Sequence, residues 1–212
     1  MSFKKTRLIP YAPPSVQVQE DFVEHLNEIS NNEDNVLIFY DITHLEYQVK
    51  STKNWQRKGV KHTKILKTNS SKKRINILGA LDRKLKRFSF FLTEKSCNKE
   101  LICDFLGQVK KTYNRTRKQL NLVLDKATYN TAHDTQDTAY ELEIELEFLP
   151  TSCPNLNIIE RLWKFLKKKV VNNKYYSSFQ EFEQAVINFV QNIDDYEELD
   201  SLLTLNFEII EI

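Results

Sequence analysis

The sequence predicts an α/β domain, a mixed five-stranded sheet flanked by helices, and three observations carry that prediction. Residues 36–40, Val-Leu-Ile-Phe-Tyr, and residues 120–124, Leu-Asn-Leu-Val-Leu, are short apolar runs of the kind found in strands buried on both faces. Each run is followed directly by an acid, Asp41 and Asp125. Around them lie segments whose apolar residues recur at helical spacing. A chain of 212 residues has room for one substantial core, and 41% hydrophobic residues with three Gly and five Pro describe a globular domain.

Taken in order, residues 1–16 read as an extended leader, because Pro10, Pro13 and Pro14 prevent regular structure. Val18, Phe22, Leu26 and Ile29 then share one face of a helix over 16–29, ended by a loop at 30–35. After the strand at 36–40, residues 61–68 alternate loosely and 74–81 read as another strand, with a hairpin-type loop at 69–73 between them. Residues 88–92 add a further short strand. Leu101, Phe105, Leu106 and Val109 mark a helix over 98–113, followed by the strand at 120–124, a helix over 132–142 and a strand over 144–149.

The stretch Cys153-Pro154-Asn155-Leu156-Asn157-Ile158-Ile159-Glu160-Arg161-Leu162-Trp163 reads as a rigid turn opening into a helix over 157–171. Pro154 cannot continue a preceding element, and Asn157 is expected as N-cap with Glu160 three residues on. Ile159, Leu162, Trp163 and Leu166 face inward, and Lys164, Lys167 and Lys168 face mainly outward. Ser178-Phe179-Gln180-Glu181 has the form of a capping box and opens a last amphipathic helix through Phe182, Ala185, Val186 and Phe189. The expected organisation is an N-terminal extension at 1–35, a main domain at 36–192 and an acidic tail at 193–212.

The net charge of +2 conceals an asymmetry: residues 50–87 hold fourteen Lys or Arg against the single acid Asp82, whereas 180–212 hold nine acids and no Lys or Arg. Such a split suggests one face that meets a polyanion. No apolar run approaches the roughly 20 residues of a spanning helix, so no membrane partner is expected and the protein is expected in the cytoplasm. Cys97, Cys103 and Cys153 lack a spacing that would suggest disulfides or a zinc knuckle.

If the two Asp-terminated strands lie side by side and parallel, Asp41 and Asp125 emerge together at the carboxyl edge of the sheet, the usual location of sites in open α/β sheets. Glu160 would arrive from above. Three carboxylates in one place repel each other and imply bound divalent cations; ligation by oxygen alone points to Mg²⁺ or Mn²⁺. Two such ions, about 3.5–4 Å apart, serve phosphodiester displacement. Taken singly, each Asp could merely start a turn, and Glu160 could merely cap its own helix.

Several segments together resemble the DDE/D transposases of bacterial insertion sequences related to mariner elements. They are Phe39-Tyr40-Asp41-Ile42-Thr43-His44, Trp55 with Lys58-Gly59, Lys72-Lys73-Arg74 through Ala80, Leu122-Val123-Leu124-Asp125, and Leu149-Pro150 through Trp163. Asp125 and Glu160 are separated by 34 residues, the spacing typical of that family. The resemblance implies a ribonuclease-H-like fold, with Asp41, Asp125 and Glu160 as catalytic residues holding two Mg²⁺ or Mn²⁺ ions. It further implies cleavage of double-stranded DNA at transposon ends and transfer of the freed 3′-hydroxyls to target DNA, by a protein associated with the nucleoid.

Lys72, Lys73, Arg74, Arg161, Lys167 and Lys168 are the candidate phosphate contacts, a role that needs positive charge but little geometric precision. Trp163 sits on an apolar stripe and is expected in the core rather than against a base. Lys126 stands where the family usually has Asn, Ser71 where a Gly is common, and Thr151 and Cys153 where Pro and Ser are usual. The family's N-terminal helix-turn-helix region precedes the matching stretch, so a separate helix-turn-helix subunit and a homodimer are the partners considered. Two other readings stay open: a catalytically inactive DNA-binding or interaction remnant of a decayed transposon, and a general nuclease on the same fold.

Overall fold

The computed structural model describes residues 14–68, 71–82, 84 and 87–211; the expected leader up to residue 13 and residues 69 and 70 of the expected hairpin loop lie outside them. Five strands form one sheet in the order β3-β2-β1-β4-β5. They are β1 Asn35–Glu46, β2 Arg74–Asp82, β3 Arg87–Thr93, β4 Gln119–Leu124 and β5 Ile144–Phe148. The β1–β2 and β2–β3 pairs are antiparallel, and the β1–β4 and β4–β5 pairs are parallel. The mixed five-stranded sheet expected from the sequence is therefore present.

Helices α2 Lys99–Thr112 and α3 His133–Glu141 cover one face. Helices α1 Val16–Asn31, α4 Ile159–Leu166, α5 Phe179–Gln191 and α6 Glu198–Leu202 cover the other. Side chains alternate between these layers along the central strand: Val36, Ile38 and Tyr40 pack towards α2 and α3, Leu37 and Phe39 towards α4. Burial on both faces is why this strand reads as a continuous apolar run.

Three elements differ from the sequence reading. β1 does not stop at Asp41 but continues to Glu46, because Thr43 and Leu45 are buried while His44 and Glu46 are exposed, a period-two pattern that pairs with β2. Residues 61–68 form no strand: Val60–His62 is a 3-10 turn, and Ile65, 91% exposed, gives the stretch no face to bury. The further short strand expected at 88–92 is present as β3. The helix expected over 157–171 begins at Ile159, and its last turn, Lys167–Val171, is a π-helix.

The capping box at Ser178 forms in part: Ser178 Oγ accepts from Glu181 N at 3.1 Å, whereas Glu181 reaches Ser177 N at 2.9 Å. The terminal segments also pack closely. Leu26 and Ile29 of α1 and Leu199, Leu203 and Ile210 near the C-terminus are all buried. Among the described residues no helix is long and apolar enough to cross a membrane.

One close approach locks α4 onto the sheet. The ring of Trp163, 1% exposed, lies across β2 at Gly79, where a Cβ would come within 2.5 and 2.8 Å of two ring carbons. Phe88 of β3 meets the indole edge-on, with ring centroids 6.1 Å apart. Gly79→Ala is expected to cost about 1–3 kcal/mol by overpacking, read from the midpoint of urea unfolding. An unchanged midpoint would show that the ring is free to move aside.

Candidate active site

The site is built where β1 parts from β4. Their parallel ladder runs from Asn35↔Gln119 to Phe39↔Val123, while β1 continues against β2 with Asp41 opposite Gly79. Asp41, two residues after Phe39, projects on the same face as Phe39, towards α4. Asp125 is the first residue after β4 and is exposed. Glu160 lies in the first turn of α4 and is half-buried.

Helix α4 is tied to β1 on both sides of Glu160. Asn157, the expected N-cap, instead donates from Nδ2 to the Tyr40 carbonyl at 3.0 Å, at the point where the parallel ladder ends. The helix starts at Ile159 without a side-chain cap. One turn after Glu160, Trp163 Nε1 donates to Asp41 Oδ2 at 2.9 Å. Gly79 makes that bond possible, because the absence of a Cβ there leaves room for the indole beside Asp41.

Asp125 is held separately. Its Oδ1 accepts from Ala127 N at 3.1 Å, an Asx-type turn, and from Asn130 Nδ2 at 2.7 Å. Asn130 is 2% exposed and also donates to the Asp125 carbonyl at 3.3 Å. Lys126 is exposed and makes no hydrogen bond or ion pair among the described residues.

Burial is the main force pushing the Asp41 carboxyl up from its usual 3.8 to about 7; the negative charges of Glu160 and Asp125 add to it, while the Ile42 backbone N–H and the Trp163 indole act against it. The three carboxylates thus share one electrostatic neighbourhood. Among the described residues, however, no three acidic, imidazole or thiol groups are drawn together into a ready ligand shell. The donors are all oxygen and all anionic, which suits Mg²⁺ or Mn²⁺. Such an ion would relieve the repulsion that adds to burial in raising Asp41.

The basic residues divide. Lys72, Lys73, Arg74 and Lys168 are exposed, although Lys73 Nζ sits 4.8 Å from the centre of the Phe179 ring. Lys167 is half-buried in the π turn rather than outward: burial pulls its ammonium pKa down, and the charges of Glu160 and Asp41 pull it back up. Arg161, expected at DNA, is committed elsewhere, with three bonds to backbone carbonyls of the C-terminal segment. Trp55 is fully exposed, whereas Trp163 is core, as its stripe predicts.

Sequence reasoning missed Asn130 and the polar role of Trp163. The signal for Trp163 was Gly79, one of three glycines in the chain and the only one inside a strand among the described residues. An isolated strand Gly marks a close approach.

A family model described as a DDE superfamily endonuclease matches residues 36–183. No curated protein matches the chain. Among solved structures, the Mos1 mariner paired end complex with Mn superposes with a TM-score of 0.72 at 14% identity, covering 98% of this chain and 68% of that one. The Mos1 transposase paired-end complex with left transposon end gives 0.70 at 16%, over 96% of this chain and 62% of that one. The catalytic domain of Mos1 mariner transposase gives 0.64 at 12%, over 92% and 91%. This likeness shows a ribonuclease-H-like fold.

The raised Asp41 pKa has a consequence for stability. Its contribution is complete below about pH 4 and is lost as pH rises through about 7, because the unfolded chain releases this proton first. With chelator present, Asp41→Asn is therefore expected to be more stable than wild type at pH 8 by about 1–3 kcal/mol, and the gap is expected to close at pH 4. Urea unfolding at both pH values checks it; a gap independent of pH would rule the assignment out.

Proposed function

The chain belongs to the DDE superfamily endonuclease family, and we propose that it is the catalytic domain of a transposase. It would cut double-stranded DNA at the ends of an insertion sequence related to mariner elements and join the freed 3′-hydroxyls to target DNA. The observation that carries this reading is the shared neighbourhood of Asp41, Asp125 and Glu160 at the point where β1 leaves β4, with Asp41 raised by burial and by the other two charges.

Asp41, Asp125 and Glu160 are the residues that would hold the metal. Two Mg²⁺ or Mn²⁺ ions, when bound, supply charge neutralisation at the phosphate and an activated hydroxyl. The similar Mos1 structures include paired end complexes with Mn and with Mg, which supports the choice of ion. The protein's own residues do the rest. Trp163 fixes one Asp41 oxygen, Asn130 and the Ala127 N–H fix one Asp125 oxygen, and Asn157 ties the turn before Glu160 to β1. Lys167, whose ammonium feels the charges of Glu160 and Asp41, would meet a phosphate oxygen at the site, while Lys72, Lys73, Arg74 and Lys168 would offer charge to the flanking backbone.

The partner would be double-stranded DNA, both transposon end and target. The similar Mos1 structures are paired-end complexes, one of them with left transposon end, which supports this and also supports a homodimer. Recognition of the end sequence is assigned to a helix-turn-helix module acting alongside this domain. The setting is the cytoplasm, at the nucleoid.

A nicking assay on terminal-repeat DNA with Mg²⁺ or Mn²⁺ tests the reading. Asp125→Ala and Glu160→Gln are each expected to lower cleavage by roughly a hundredfold or more. Wild-type cleavage no greater than that of Asp125→Ala would leave a silent DNA-binding remnant; cutting without preference for the repeat would leave a general nuclease.

A further inference from the structure

The segment that follows α6 lies along the helix that carries Glu160. Arg161, the next residue after Glu160, donates from Nη1 to the carbonyls of Leu202 at 3.2 Å and Thr204 at 2.7 Å, and from Nη2 to that of Asn206 at 2.7 Å. Its guanidinium carbon also stands 5.6 Å from the centre of the Phe207 ring. On the other side of Glu160, Asn155 donates from Nδ2 to the Glu208 carbonyl at 2.8 Å.

A third anchor is Gln19 of α1, which has no exposed surface. Its Oε1 accepts from Ile210 N at 3.0 Å and from Asn155 Nδ2 at 3.2 Å, and its Nε2 donates to the carbonyls of Ile210 at 2.9 Å and Pro14 at 3.1 Å. One buried amide thus joins α1, the C-terminal segment and the turn before Glu160. The bond to Ile210 is paired like a short piece of sheet ladder.

Position in the sheet is set by ladder bonds to neighbouring strands, and Asp41 has them. Helix α4 has no such frame: it is eight residues long and lacks a side-chain N-cap, so contacts from outside must set its first turn. Those contacts are Asn157 and Trp163 towards the sheet, and Asn155 and Arg161 towards the C-terminal segment.

We infer that residues 203–210 form a strap that fixes the approach of Glu160 to the two aspartates, with Arg161 and Gln19 as positioning residues. This rests on the reading of Glu160 as a metal-holding residue. The grip uses backbone carbonyls of the strap, the amides of Gln19 and Asn155 and the guanidinium of Arg161.

The test is Arg161→Gln and Gln19→Leu in the full chain, read in two ways. Hydrogen exchange is expected to quicken in residues 155–166 and 203–211 while β1 and β4 keep their protection. The Mn²⁺ concentration giving half-maximal DNA cleavage is expected to rise about tenfold, in the range seen when groups supporting a metal ligand are removed, with most activity recovered at saturating metal. Arg161→Lys, which keeps the charge and some donors, is expected to fall between. Unchanged exchange in 155–166, or faster exchange spread evenly over the sheet, would overturn the strap. So would an unchanged metal midpoint in a wild-type background that cleaves. A wild type that does not cleave defeats the functional reading alone, and exchange then decides the strap by itself.

Discussion

The contact on which the rest of this structure depends is the indole of Trp163 lying on the bare backbone of Gly79. It fixes the distance between α4 and the sheet, because the ring fits only where no Cβ stands. It also turns a packing residue into a polar one, since the same ring delivers its N–H to Asp41. Ridge-into-groove packing alone would leave the rotation of a short helix loosely set. A hydrogen bond from within the packed ring removes that freedom.

From this anchor the electrostatics follow. Asp41 sits half-buried where strand pairing and a covering helix take much of its water, and the charges of Glu160 and Asp125 bear on it. A lone carboxylate so placed would be costly to charge. That cost is offset locally: the indole N–H and the Ile42 backbone N–H both favour the charged form. Asp125 lies further out, on a turn braced by buried Asn130. The two aspartates therefore differ in kind, one half-buried within a strand, the other exposed and held by a turn.

Much of the fold was legible because burial on both faces writes itself as the apolar runs at 36–40 and 120–124. What was not legible turned on partners distant in sequence. Asp41 looks like a strand end because Val36 to Tyr40 are continuous and Ile42 to Glu46 alternate; the change of pattern marks where β1 loses one neighbour and keeps the other. Asn157 has the right residue type and place for a cap, and the Tyr40 carbonyl, far away in sequence, claims its side chain instead. Arg161 followed an acid in a basic stretch and read as a DNA contact, whereas three carbonyls of the C-terminal segment hold it. Local propensity could not foresee these, since each is a competition decided by tertiary contacts.

The placement of Asp41 in the middle of a long strand has one more consequence. A strand flanked by ladder bonds on either side of a residue can misplace it only by a whole step, and a single step would turn the carboxylate to the opposite layer. Its position is all-or-none. Glu160, mounted on a short helix, can drift by fractions of an ångström. Sequence divergence in such a protein has two different grains: changes along β1 abolish the arrangement or leave it whole, while changes in the supports of α4 grade it continuously. Fine adjustment of the site over evolutionary time is therefore open to the helix and closed to the strand.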